Sequence, residues 1–194
     1  MTPDPTALES LLSFWFGPLD TAGLADAEHQ RRWFMKDAAF DDTLRRDFGD
    51  LHARVAALPE AELPETPRAR LACVITLDQL SRNLLRDTPG MFAHDPKALS
   101  WARRAVDAGD DTRVAAAERP FFYLPFMHSE SLADQVRCVA LYTALPAPGN
   151  TLDYARRHHA IVARFGRFPH RNALLGRAST PEELTFLTEP GSSF

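Results

Sequence analysis

The chain is 194 residues long, 45% hydrophobic and 25% charged, with a formal net charge of −4. That length suits one domain, or a compact pair, with a sizeable core. The acidic balance argues against a nucleic-acid surface, and no apolar run approaches the ~20 residues that a membrane helix needs.

Met1-Thr2-Pro3-Asp4-Pro5 lacks the basic stretch of a secretion leader. Cys73 and Cys138 fall inside helical apolar patterns with no metal-type neighbours at short spacing, so they read as free buried thiols in a reducing cytoplasm.

Taken in order, the chain predicts helices throughout. Thr6-Ala7-Leu8-Glu9 is a capping-box pattern opening the first, whose Leu8, Leu11, Leu12, Trp15 and Phe16 share one face before Gly17-Pro18 stops it. A second covers Ala25 to Met35 and sends Trp33 and Phe34 into the core. In a third, from Ala38 to Ala57, Phe40, Leu44, Phe48, Leu51 and Val55 form one apolar stripe. A Pro-rich connector, Leu58 to Pro67, leads to a helix over Arg68–Arg86 with Leu71, Val74, Leu77, Leu80 and Leu84 inward. Asp95-Pro96 reads as an N-cap with Pro at the first position, opening a helix that ends at Gly109. Glu118–His128 is too Pro-interrupted for a regular helix and too aromatic for a solvated loop. Helices follow from Ser129, the expected N-cap, to about Leu145, and from Thr151 to Phe165 after Pro146-Ala147-Pro148-Gly149. Thr180-Pro181-Glu182-Glu183 is a second capping box, opening a short helix to Leu187. No stretch alternates with period two and no Asn-Gly or Asp-Gly hairpin signal occurs. The expected fold is therefore all-α, a single domain of about eight helices stacked as antiparallel pairs.

Four stretches place polar groups where a plain helical bundle has no need of them. In Leu77–Asn83, Asp78 and Arg82 are spaced i,i+4 and can pair, and Gln79 and Asn83 form a second such pair. In Phe121–Glu130, His128 and Glu130 stand at a helix start, where exposed N–H groups favour negative charge, and Tyr123 and His128 are candidate ligand groups. His158 sits on the apolar face of its helix. In Phe165-Gly166-Arg167-Phe168-Pro169-His170-Arg171-Asn172, glycine ends a helix and Phe-Pro fixes a turn that projects His170 and Arg171 together. Arg177 lies just beyond. From Tyr154 to Pro181 there are six arginines and no acid, which leaves −10 for the remainder of the chain.

Leu77–Asn83, Phe92–Asp95, Phe122–Glu130, Phe165–Asn172 and Gly176–Thr180 resemble the signatures of a bacterial family, the domain-of-unknown-function 924 family. The likeness runs from Phe14-Trp15-Phe16-Gly17 to Gly191–Phe194. This chain has Leu80-Ser81 where the family commonly carries Phe-Pro. The resemblance implies an all-helical fold similar to tetratricopeptide-repeat (TPR) proteins and brings no established reaction.

Three functional readings stay open. The first is a site for a small carboxylate- or phosphate-bearing ligand. Its candidate binding groups are Asp78, Gln79, Arg82, Asn83, Tyr123, His158, Arg167, Arg171, Asn172 and Arg177, and its candidate catalytic groups are His128, Glu130 and His170. The second is a TPR-like scaffold holding an acidic peptide or a C-terminal carboxylate. The third is a buried charge network that only fixes helix packing. Arginines capped by internal carboxylates would favour the third. His128, Glu130, His158 and His170 match no recognised metal motif, and the arginines nearby would repel a cation. No metal, cofactor, nucleic acid or membrane partner is expected.

Overall fold

A computed structural model describes residues 3–147 and 149–194; Met1, Thr2 and Pro148, and with them parts of the leader and Pro-Gly connector readings, lie outside it. Every regular element among the described residues is helical, with no strand. The helices are α1 (Pro5–Phe16), α2 (Ala27–Arg32), α3 (Ala38–Ala57), α4 (Pro67–Ile75), α5 (Ser81–Leu84), α6 (Asp95–Asp107), α7 (Leu124–His128), α8 (Leu132–Thr143), α9 (Thr151–Phe165) and α10 (Pro181–Phe186). The chain divides into an N-terminal unit, residues 1–86 and 90–125, and a C-terminal unit, residues 87–89 and 126–194.

In the N-terminal unit, the apolar stripes read from the sequence are the buried faces, except that Phe40 and Leu84 are only half-buried. Leu8, Leu11, Leu12, Trp15 and Phe16 of α1 are buried, as are Leu44, Phe48, Leu51 and Val55 of α3 and Leu71 and Val74 of α4. Trp15, Phe16 and Trp33 meet the Phe121 ring edge-on at 6.1, 5.1 and 5.0 Å between centroids. Edge-to-face pairs of this kind each add about 0.5–1.5 kcal/mol beyond their buried area.

Several local expectations are corrected. Helix α1 is capped by Asp4, whose carboxylate accepts from the Thr6 N–H at 3.0 Å, while Glu9 reaches out to Arg68 at 2.9 Å. Helix α2 is shorter than expected, and Phe34 is 62% exposed: its stacking on Phe121 covers one face of the ring and leaves the other in water. Asp95 does not cap α6, because its carboxylate is drawn to Arg82 and His94 takes the N-cap position. The helix over residues 67–84 is not uniform: Thr76–Leu80 form a π-helical turn between α4 and α5.

In the C-terminal unit, α8 packs on α9, burying Cys138 and Tyr142 against Ala155, His158, Ile161 and Val162. Ile161, Val162, Phe168 and Phe186 form its apolar cluster, with Phe165 packed alongside. Gly166, at φ 68°, ends α9 in the left-handed conformation and returns its N–H to the Val162 carbonyl, so the chain can reverse into the Phe168 turn. Ser129 is not the cap of α8. Its hydroxyl bonds Asp134 at 2.7 Å, and Ser131 takes the N-cap position.

Candidate functional site

The predicted polar stretches divide between the two units. Asp78, Gln79, Arg82, Asn83 and Tyr123 belong to the N-terminal unit; His128, Glu130, His158, Arg167, His170, Arg171, Asn172 and Arg177 belong to the C-terminal unit.

In the N-terminal unit the π turn buries Asp78 and Gln79, whose amide donates to the Asp78 carboxylate at 2.6 Å. Arg82 grips Asp95 in a bidentate pair at 2.9 and 3.0 Å and donates to the Asp78 carbonyl at 2.6 Å. The predicted contact with the Asp78 carboxylate is the longer one, 3.5 Å. Burial opposes the charge on Arg82, yet Asp78 and Asp95 outweigh it and hold its pKa above the ordinary value. Asn83 turns away from Gln79 and donates to Asp41 at 2.7 Å, which Arg86 clamps from the other side at 2.7 and 2.9 Å. Tyr123 is fully buried, donating its hydroxyl to Asp111 at 2.5 Å and accepting from Arg119 at 2.7 Å. Every one of these predicted ligand groups is thus occupied inside the protein, as a packed charge network requires.

The C-terminal unit carries a longer chain of the same kind. Buried Gln135 of α8 donates to the carbonyls of Met127 and Ser129 at 2.7 and 2.6 Å, which fixes the turn carrying His128 and Glu130. Glu130 accepts from the Phe168 N–H at 2.8 Å and from both terminal nitrogens of Arg177 at 2.7 and 2.9 Å. Burial alone would raise its pKa, but the bonds from Arg177 and Phe168 hold it below the ordinary carboxylate value. Arg177 also donates to the Asn172 side-chain oxygen at 3.0 Å, and the Asn172 amide donates to Glu183 at 3.3 Å. Glu183 closes the chain, bonded by Arg167 at 2.6 and 2.8 Å and by the Thr180 N–H at 2.7 Å. The Arg167 bond leads the causes that bring its pKa down to about 2. The expected Thr180 capping box is present, so Glu183 serves both α10 and Arg167.

A second group in the C-terminal unit is built of imidazole and aromatic rings. The His158 ring lies 6.3 Å from His128, 5.5 Å from Phe168 and 3.7 Å from Phe194 between centroids. Its Nδ1 donates to the Tyr154 carbonyl at 2.8 Å, leaving Nε2 as acceptor in the neutral ring. Burial, then the charge of His128, drops its pKa to about 3. His170 stands on a 3-10 turn, Pro169–Arg171, 5.6 Å from Phe168 and 6.1 Å from Phe194. Burial and the Arg171 charge bring it to about 4, and its ring bonds the backbone of Ser192. Its buried Nδ1 has no hydrogen-bond partner in the protein. Arg171, 7% exposed, lies over the Phe168 ring at 4.5 Å. Among the described residues, no group of three or more His, Cys, Asp or Glu has the arrangement to hold a metal ion.

Sequence reasoning missed the acceptors more than the donors. Asp41, Asp95, Asp111 and Glu183 each receive a predicted ligand group, yet none was singled out as a partner. Glu183 carried a usable signal, since it lies just past an arginine-rich segment with no acid of its own. The π turn and the Phe194 contact have no local signature.

This is an all-helical protein in which Arg82, Arg86, Arg167 and Arg177 are committed to carboxylates, and its C-terminal unit also holds a histidine-rich aromatic nest. A family profile described as bacterial protein of unknown function (DUF924) matches residues 11–191, and the chain belongs to that family. It is similar to a solved protein of unknown function, ATU0120 from Agrobacterium tumefaciens, at 39% identity and a TM-score of 0.83, covering 95% of this chain and 99% of that one. No curated protein matches the chain.

Proposed function

We propose that the C-terminal unit binds a small carboxylate- or phosphate-bearing ligand in the nest formed by His128, His158, His170 and Arg171. The observation that carries this reading is the buried His170 Nδ1, a polar atom with no protein partner beside a cationic side chain. Arg171 and Arg177 both act on the Glu130 carboxylate, so cationic side chains line the nest.

Binding is better supported than acid–base catalysis. A general base works best with a pKa near the operating pH, whereas His170 and His158 lie at about 4 and 3. Glu130, fixed by one backbone N–H and two arginine nitrogens, is suited to orienting the nest rather than reacting in it.

A second reading, a structural charge network, is favoured for the other arginines. Arg82 on Asp95, Arg167 on Glu183 and Arg177 on Glu130 each make a two-point pair that a ligand would have to break. The same pairing counts against a TPR-like groove that would hold an acidic peptide on those arginines.

Thermal-shift measurements with sulfate, phosphate, small carboxylates and divalent metals test the proposal. The expected result is stabilisation by an anion that is lost in His170→Asn and Arg171→Gln and kept in Arg82→Gln, each compared with its own ligand-free Tm. A shift from a divalent metal with none from any anion would overturn it.

A further inference from the structure

In the C-terminal unit, the segment Gly191–Phe194 lays its last ring on the nest. The Phe194 ring is stacked on His158 with the planes only 20° apart at 3.7 Å. Tyr154 meets its edge at 6.3 Å and 69°, and His170 at 6.1 Å and 77°. Phe168 backs the same imidazole at 5.5 Å. Stacking on one face with edges on two sides is the geometry by which a slot selects a flat ring. We infer that this slot is a binding seat for a planar aromatic ring bearing a carboxylate or phosphate, and that Phe194 is its resident occupant, to be displaced by the ligand. The inference rests on the anion site proposed above and names the kind of molecule that carries the anion.

Three features make Phe194 a displaceable occupant rather than a core residue. It is 49% exposed, so the outer face of its ring is in water while the inner face is in contact. The segment is anchored at Ser192, which is 7% exposed, bonds the Leu187 carbonyl at 3.2 Å and meets the His170 ring through its backbone. Beyond Ser192 the segment is held by ring contacts. Gly191, at φ 80°, supplies a backbone conformation open to glycine alone at low cost, so the segment bends just ahead of its anchor.

The seat also has the polarity the ligand requires. His158 is held neutral by burial, with its tautomer set by the Tyr154 carbonyl, so it offers an uncharged π face and an acceptor nitrogen. The Arg171 guanidinium supplies donors for an anionic substituent, and the His170 Nδ1, an acceptor in the neutral ring, becomes a donor when the ring takes up a proton. An anion without a ring can use these donors and leave Phe194 seated; an aromatic acid has to take its place.

Calorimetric titration with benzoate and phenyl phosphate, beside acetate and inorganic phosphate, tests this on the full chain and on Phe194→Ala and Phe194→Leu. The aromatic acids are expected to bind Phe194→Ala at least ten-fold more tightly than the unsubstituted chain. Acetate and inorganic phosphate should stay within two-fold. Phe194→Leu, which keeps bulk but cannot stack, should fall between, and adding His158→Leu to Phe194→Ala should remove the aromatic gain. Equal affinity for the aromatic acids in all chains, or a gain that survives His158→Leu, overturns the seat. If the simple anions bind while the aromatic gain is absent, the seat falls and the anion site stands. If nothing binds any chain, both fall.

Discussion

A histidine whose pKa is pushed down by burial and a neighbouring cation reports directly on what binds beside it. His170 sits at about 4 because charging it would mean burying a cation next to Arg171. An anion placed between them reverses the second cause and stabilises the imidazolium. Binding should therefore take up a proton, and affinity should rise as pH falls from 6.5 toward 4. Glu130, paired with Arg177 and held below the ordinary carboxylate value, keeps its charge over most of that range, and His158, at about 3, stays neutral. Sulfate is the clean probe because its own charge is constant there. Calorimetry in buffers of different ionisation enthalpy reads the proton uptake, expected to approach one per sulfate near pH 5 and to vanish in His170→Asn. Uptake that persists in that variant would place the titrating group elsewhere.

Helix ends and irregular turns set the polar groups of this chain more than helix faces do. Glu183 is the clearest case, since one buried carboxylate caps α10, clamps Arg167 and meets Asn172. Thr180→Ala removes only the cap hydroxyl and should cost about 1 kcal/mol in urea unfolding. Glu183→Gln leaves the Arg167 guanidinium without its anion and should cost more. Equal losses would mean that the Arg167 pair contributes nothing. The capping box was legible because its residues are adjacent, and the apolar stripes of α1, α3 and α4 were legible because their period is that of the helix. The π turn over Thr76–Leu80 was not, since an extra residue in one turn leaves no trace in the pattern yet moves Gln79 and Asn83 onto different partners. Ser81, where the chain departs from the commoner Phe-Pro, finds its role in the same way: its hydroxyl meets buried His52 at 2.9 Å. For the candidate site, the donors were legible as an arginine-rich segment without acids. Their acceptors, often dozens of residues away in the chain, were not.

Across the chain, burial has been tolerated by groups that resist acid for opposite reasons, and the two should separate on a pH axis. His52 at about 4, His170 at about 4 and His158 at about 3 all lie below the 6.5 of a free imidazole. Their contribution is fully present above pH 6.5 and is lost as pH falls toward those values, because the unfolded chain takes up protons that the folded one refuses. At ~1.4 kcal/mol per unit, His52 alone carries on the order of 3 kcal/mol of this dependence. The carboxylates run lower. Asp41 and Glu130 are depressed against the pull of burial by their arginines, and Glu183 sits at about 2, so their contribution holds above the unfolded carboxylate range and fades only below it. Urea midpoints followed by circular dichroism should therefore be level above about pH 7, fall from 6.5 toward 4 on the histidines, and fall again below about 4 on the ion pairs. His52→Gln and His158→Leu should flatten the first fall while leaving the second, whatever they do to stability at neutral pH. Added salt should leave the first fall in place, since burial rather than a long-range field drives it. A midpoint that stays level down to pH 4.5 would show these histidines titrating as solvent-exposed groups, and with that the nest around His158 would lose its neutral, ring-accepting face.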